Sequence, residues 1–109
     1  MKTIDIAKDY STTPGPRLIS QGEFSGELFR DTILEPAYLE AKKNKEKVTV
    51  ILDGTFGYYD SFLEESFGGL KRKYQKDDVF NFFIFVSNEE PDLIEKIRII
   101  INEALNKKR

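Results

Sequence analysis

Apolar residues recur along this chain in two rhythms that take turns. After a short β-rich start around Thr3 to Ala7, the segment STTPGP (11–16) reads as a loop whose prolines and glycine fix turns, and RLIS (17–20) reads as a brief second strand. From Ser25 the spacing becomes helical, with Phe29, Ile33, Ala37 and Ala41 at steps of four and Leu34 and Tyr38 beside them. Pro36 interrupts that stripe, so a kink near Thr32 or a pair of abutting helices is expected. VTVILDG (48–54) is a continuous β-rich run, the pattern of a strand covered on both faces. A helix over about Ser61 to Tyr74 follows, burying Phe62, Ser66 and Leu70 with Leu63, Phe67 and Tyr74. VFNFFIFVS (79–87) predicts the next strand, with Phe80, Phe82, Ile84 and Val86 on one side and Phe83 and Phe85 on the other. A final helix after Asn88 carries Leu93, Ile94, Ile97, Ile101 and Leu105 inward, and Pro91 falls in its first turn, where a missing N–H costs little.

Strands alternating with helices predict an α/β layered fold, and the run from Val48 to Val86 predicts two parallel strands joined by a right-handed crossover. The expectation is one domain over residues 1–109, a mixed sheet of about four strands packed by three or four helices.

Composition narrows the chemistry. The chain has no cysteine and no histidine, which removes thiolate nucleophiles, imidazole bases and the usual zinc ligands; no metal and no cofactor is expected. The start MKTIDIAKDY lacks a long apolar run and nothing approaches the ~20 apolar residues that cross a bilayer, so a cytoplasmic location away from membranes is expected. Net charge is −2, with lysines gathered in AKKNKEK, KRK and NKKR, which is not the basic face of a nucleic-acid binder. The aromatic strand is read as core rather than as a base-stacking platform.

Two constellations stand out. In GEFSGELFRDTIL (22–34), Arg30 projects into the apolar arc of its helix. It needs an anion: a structural partner such as Glu27 or Asp53, or a bound anionic ligand received by Arg17 or Arg30 and the N–H groups that follow Ser25 and Gly26. In DGTFGYYDSFLEESFGGL (53–70), the loop leaves the carboxyl end of a central strand, where α/β sheets present their sites. There Ser61 and Glu64 fit a capping box, and a serine at a helix start is also where a phosphate is favoured. Gly68 and Gly69 inside a helix point to a close approach of another element. Asp53, Asp60, Glu64 and Glu65 could in principle serve hydrolysis or bind Mg²⁺, but no supporting motif accompanies them, and no catalytic residue is expected.

SGELFR, VTVILDG and SFLEESFGGL in this order, with Arg17 ahead of them, resemble a poorly characterised prokaryotic STAS-like family similar to the anti-sigma-factor antagonists. The resemblance implies a small α/β domain acting through protein contacts rather than catalysis. Ser61 matches the serine that an ATPase-type kinase phosphorylates in those antagonists, where they carry Asp-Ser-Ser-Gly and this chain reads Asp60-Ser61-Phe62-Leu63. The expected function is therefore a regulatory interaction module for a protein partner of the kinase-like ATPase type, with Ser61 as a phospho-switch and Asp60, Phe62 and Glu65 in the contact region from Gly57 to Leu70. A homodimer is an alternative protein contact. A small-molecule or nucleotide sensor, with Arg17, Ser25, Gly26, Glu27 and Arg30 around an anion next to Asp53, is the alternative function.

Overall fold

A computed structural model describes residues 2–106. Three strands, β1 (Lys2–Asp5), β2 (Val48–Ile51) and β3 (Phe83–Val86), form one parallel sheet in the order β1-β2-β3. The expected crossover between β2 and β3 is therefore present. Among the described residues the sheet is parallel rather than mixed, and has three strands where about four were expected. RLIS is not a strand: Arg17 and Leu18 lie in a bend and Ile19–Gln21 is a 3₁₀ turn. The start of VFNFFIFVS also coils, as a 3₁₀ turn at Val79–Phe82, before β3 begins.

Strands laid down in sequence order by crossovers of one hand must place every connecting helix on the same face. Burial follows that rule. Ile4, Val48, Val50 and Phe83 point into the core, whereas on the opposite face Thr3 and Ile84 are exposed and Thr49, Ile51 and Val86 are half-buried. The double coverage expected of VTVILDG is thus absent: helices cover one face of β2, and the other stays largely open.

The helical layer holds a short α1 (Ile6–Asp9), two long rods and a final helix. The first rod is α2 (Gly26–Phe29), a π-helical turn (Arg30–Leu34) and α3 (Glu35–Asn44). The interruption expected from Pro36 takes this form. Proline lacks an N–H and its ring crowds the carbonyl four residues back, here Thr32; the chain widens at this point so that Glu35 N–H donates to the Arg30 carbonyl five residues back. Thr32 adds to the loosening by donating its hydroxyl to the Leu28 carbonyl (2.7 Å). The second rod repeats the device with α4 (Asp60–Leu63), a π-helical turn (Glu64–Gly68) and α5 (Gly69–Lys73). The last helix, α6 (Asp92–Glu103), turns Leu93, Ile97 and Ile101 inward, as its periodicity predicts, while Leu105 beyond it is exposed.

Between rods and sheet lies a core rich in aromatic rings. Phe29 packs on Phe62 and Phe67 (centroids 5.7 and 6.3 Å), Phe67 on Phe85 (5.4 Å), and Tyr38 on Tyr74 and Phe82 (5.2 and 5.3 Å). Beyond the π-helical turns, Glu35 is held by Lys73 (2.9 Å) and Tyr74 (2.5 Å), and Asp77 by Tyr38 (2.5 Å) and Lys42 (2.7 Å).

The two faces of the sheet should answer mutation differently. Ile4→Ala, on the covered face, is expected to cost about 2–5 kcal/mol, whereas Ile84→Thr, on the open face, should stay within about 0.5 kcal/mol of wild type. Urea unfolding of both variants checks this, and equal losses would mean that the second face is covered too.

Candidate functional site

The loop from Arg17 to Gly26 and the second rod meet where the sequence placed its two constellations. Ser25 caps α2, accepting from Leu28 N–H (3.0 Å). Gly26 N–H donates to the Pro16 carbonyl (2.9 Å) and Glu27 N–H to that of Arg17 (3.0 Å). The N–H groups expected to receive an anion are therefore consumed by the chain itself. Glu27 accepts from Ile19 N–H (2.9 Å) and takes no part in pairing Arg30. Gly26 allows the crossing of the two rods: a Cβ there would lie 2.5 Å from the Phe62 carbonyl oxygen and 3.1 Å from its Cα.

Arg30 answers to Glu65. Its Nη1 lies 2.5 Å from Glu65 Oε2 and its Nε 2.9 Å from Asp31 Oδ1, and neither of the expected partners, Glu27 or Asp53, is involved. The guanidinium crosses directly over Gly69, where a Cβ would stand 2.6 Å from Nη1, so the second glycine of the pair makes room for it. Gly68 makes room for Glu64, whose Oε2 would lie 2.7 Å from a Cβ. Glu64 in turn joins Arg17 (2.5 Å) to Arg72 (2.6 and 3.1 Å), and Arg17 also lies 3.5 Å from Glu65. Three arginines from three segments thus close on two adjacent carboxylates.

This arrangement overturns the capping box. The helix begins two residues earlier than that box requires, with Tyr59 as the N-cap residue and no side-chain cap, so Ser61 sits in the first turn instead of capping it. Glu64 does not reach back because two charge-assisted bonds to guanidinium groups outweigh one to a neutral N–H. Its carboxyl is held below the ordinary glutamate range: burial pushes it up, and Arg72 and Arg17 more than offset that. Glu35 behaves likewise, burial being outweighed by Tyr74 and Lys73.

Asp53 belongs to another place. Its carboxylate accepts from Asn88 N–H (3.0 Å) and Glu89 N–H (2.8 Å), bonds that lower its pKa and tie the loop after β2 to the loop after β3. The expected anion pocket joining Arg30 to Asp53 is not formed.

Asp53 helps hold out the loop that the sequence reading placed at the carboxyl end of the central strand, although that reading did not name its aromatics Phe56 and Tyr59. Gly54 N–H donates to Glu89 (2.9 Å), Phe56 N–H to the Thr12 carbonyl (2.8 Å), and the Tyr58 hydroxyl to the Leu52 carbonyl (2.8 Å). Burial pushes the Tyr58 phenol up to about 12. Gly54 and Gly57 take positive φ (93° and 123°), which makes the turn. Between these anchors Phe56 is 87 % exposed and Tyr59 66 % exposed. Both line a shallow cleft with Thr13 and Pro14. The available signal was FGYY itself, aromatics around a glycine with no strand or helix period.

Beside this loop runs a larger cleft of about 590 Å³ between α4 and α6. Asp60, Ser61, Glu64 and Arg17 form one wall; Asp92, Glu95, Lys96 and Glu103 stand on the other, with Ile99 and Ile100 as its apolar part. Ser61 is half-buried within it. Among the described residues no group of three or more acidic, histidine or cysteine side chains is placed to hold a metal ion, and no helix is long and apolar enough to cross a membrane.

Residues 25–93 match the family described as a STAS-like domain of unknown function (DUF4325). The chain belongs to this family. The matched span of this STAS-like domain opens at the Ser25 cap and takes in the Gly26 crossing, the Arg30–Glu65 pair and the exposed aromatic loop. No curated protein and no solved structure matches the chain.

Removing one partner of the buried pair should be far worse than removing both. Glu65→Leu, which leaves Arg30 only its surface partner Asp31, is expected to lose about 3 kcal/mol, and adding Arg30→Met should restore much of it; a double-mutant cycle by urea denaturation measures this. Stability should also depend on acid. Because Glu64 and Glu35 have folded values below the ordinary 4.5, their contribution is complete at neutral pH and drains away as the pH falls through and below that value. Urea midpoints from pH 7 to 3 should fall less steeply for Glu64→Gln.

Proposed function

We propose that this STAS-like domain is a regulatory protein-interaction module without catalytic activity, binding a partner of the kinase-like ATPase type through the loop and helix around Gly57 to Leu70. The supporting observation is Phe56, held almost fully in water by a loop that is hydrogen-bonded on both sides. An anchored, exposed aromatic costs solubility and returns nothing to the core, and such residues are what protein interfaces bury. Tyr59 extends the same surface towards Ser61.

Ser61 is the switch in this reading. A phosphate would add about 1.5–2 negative charges at pH 7 to a cleft already lined by five carboxylates. Of the cations in that cleft, Arg17 is engaged by Glu64 and Lys96 by Asp60 (2.9 Å). The modification therefore works by changing the field that a partner meets, since Ser61 supports no cap whose loss would unfold the helix. The alternative of an anion sensor at Arg30 gains no support from a guanidinium already closed on Glu65 and Asp31.

Parallel pull-downs from a lysate of the source cell test this, with wild type, Phe56→Ala/Tyr59→Ser and Ser61→Asp as baits and mass spectrometry as the readout. A partner retained by wild type, lost from the loop double variant and changed in yield by Ser61→Asp is expected. The same set of proteins on all three baits would overturn the proposal; the changes lie at exposed or half-buried sites, so each variant should melt within a few degrees of wild type.

A further inference from the structure

The loop that carries Phe56 begins with Asp53-Gly54, two neighbours that can react with each other. The glycine nitrogen attacks the aspartate side chain: a bond forms between Gly54 N and Asp53 Cγ, the nitrogen gives up its proton, a carboxyl oxygen leaves as water, and a cyclic imide closes. Water then opens the imide at either carbonyl. Opening at Cγ restores aspartate, whereas opening at the main-chain carbonyl leaves the chain running through Cγ as isoaspartate, longer by one methylene. Composition is unchanged overall, so no oxidant or cofactor is needed. A following glycine favours ring closure because no Cβ crowds the attacking nitrogen. Gly54 is exposed, so water reaches the imide.

One residue holds both reacting groups apart. Glu89 N–H donates to Asp53 Oδ1 (2.8 Å), and Gly54 N–H donates back to Glu89 Oε1 (2.9 Å). Asn88 N–H takes the other oxygen, Oδ2 (3.0 Å). Ring closure must give up the Gly54 bond, because the nitrogen loses the very proton that Glu89 accepts. It must also free the carboxyl from two donors that favour its ionised form. The ionised form is the poor partner for the attack, since its oxygen leaves as water only after protonation. We infer that Asp53-Gly54 is a latent isomerisation site that Glu89 keeps closed, so that one exposed glutamate sets the chemical lifetime of the aromatic loop. The added methylene of isoaspartate falls ahead of the bonds that anchor this loop from Gly54, Phe56 and Tyr58, and conversion therefore undoes the mount of Phe56. The inference goes beyond the reading of the chain as an interaction module and stands whatever binds the loop.

The test ages wild type, Glu89→Ala, Glu89→Gln and Glu90→Ala for weeks at neutral pH and physiological temperature, with wild type in urea as the unprotected reference. Isoaspartate is counted by enzymatic methylation of its free α-carboxyl. Electron-transfer fragmentation of the tryptic peptide 48–71 then assigns it to position 53 rather than to Asp60. Folded wild type is expected to convert at 53 at least about tenfold more slowly than in urea. Glu89→Ala should convert at least about tenfold faster than folded wild type, the worth of one hydrogen bond to a charged acceptor. Glu89→Gln keeps an oxygen that accepts from Gly54 N–H, and its rate should fall between wild type and Glu89→Ala. Glu90→Ala, in the same loop, should match wild type, which separates the hold from a general loosening. Glu89 and Glu90 are both exposed, so every variant should melt close to wild type. Equal rates for wild type folded and in urea, no acceleration in Glu89→Ala, or Glu89→Gln or Glu90→Ala as fast as Glu89→Ala would each overturn the inference.

Discussion

Strand order governs this molecule. Three parallel strands laid down in sequence, each crossover of the same hand, put both rods on one side of the sheet, and α6, which follows the last strand, joins them there by turning Leu93, Ile97 and Ile101 into the same core. The strand order never reverses, so there is no crevice of the kind that opens where helices leave in opposite directions and that receives nucleotides in doubly wound folds. Function must then be presented by loops at the strand ends or by grooves within the single helical layer. The exposed aromatic loop and the α4–α6 cleft are the two surfaces of those kinds described above.

Crowding two rods and a third helix onto one face makes close crossings unavoidable, and the glycines and the clasp follow from that. At Gly26 backbone meets backbone; at Gly68 and Gly69 an acidic and a basic side chain run flat across a helix where any Cβ would stand in the way. Burying charge beside these crossings carries a large desolvation cost, which the chain meets by giving Glu64 two arginines and Glu65 two. Clasps of this type fix a relative position more than they add stability. The rods are also tied beyond their π-helical turns through Glu35 and Asp77, so the clasp near Arg30 is one of two fastenings along the same pair.

Much of this was legible in the sequence. Periodicity found both rods, α6 and the two parallel strands, and projection placed Arg30 in the apolar arc with an ionic partner as one of two readings. The identity of that partner was not legible, because Glu65 is local to Arg30 only after two rods have packed. The capping box had the right residues and failed because Arg17, remote in sequence, and Arg72, two turns further along the same rod, compete for Glu64. The fourth strand failed for a different reason: RLIS has strand-like residues, but the backbone around it serves α2, as when Arg17 accepts from Glu27 N–H. A period-2 pattern in VFNFFIFVS likewise does not reveal that the segment begins as a 3₁₀ turn.

The paired π-helical turns set the phase of both rods. Each turn holds one residue more than an α-helix would, so the stretch that follows is rotated by about 100° relative to an unbroken helix. In the first rod this lets Phe29 face the second rod while Tyr38, beyond the bulge, still faces Tyr74 and Phe82. The two shifts sit opposite one another, joined by Arg30 and Glu65. Each rod is thus two helices in different angular registers, and in the second rod the end that carries Ser61 sets Phe62 and Leu63 against the core in a different phase from the end that carries Leu70.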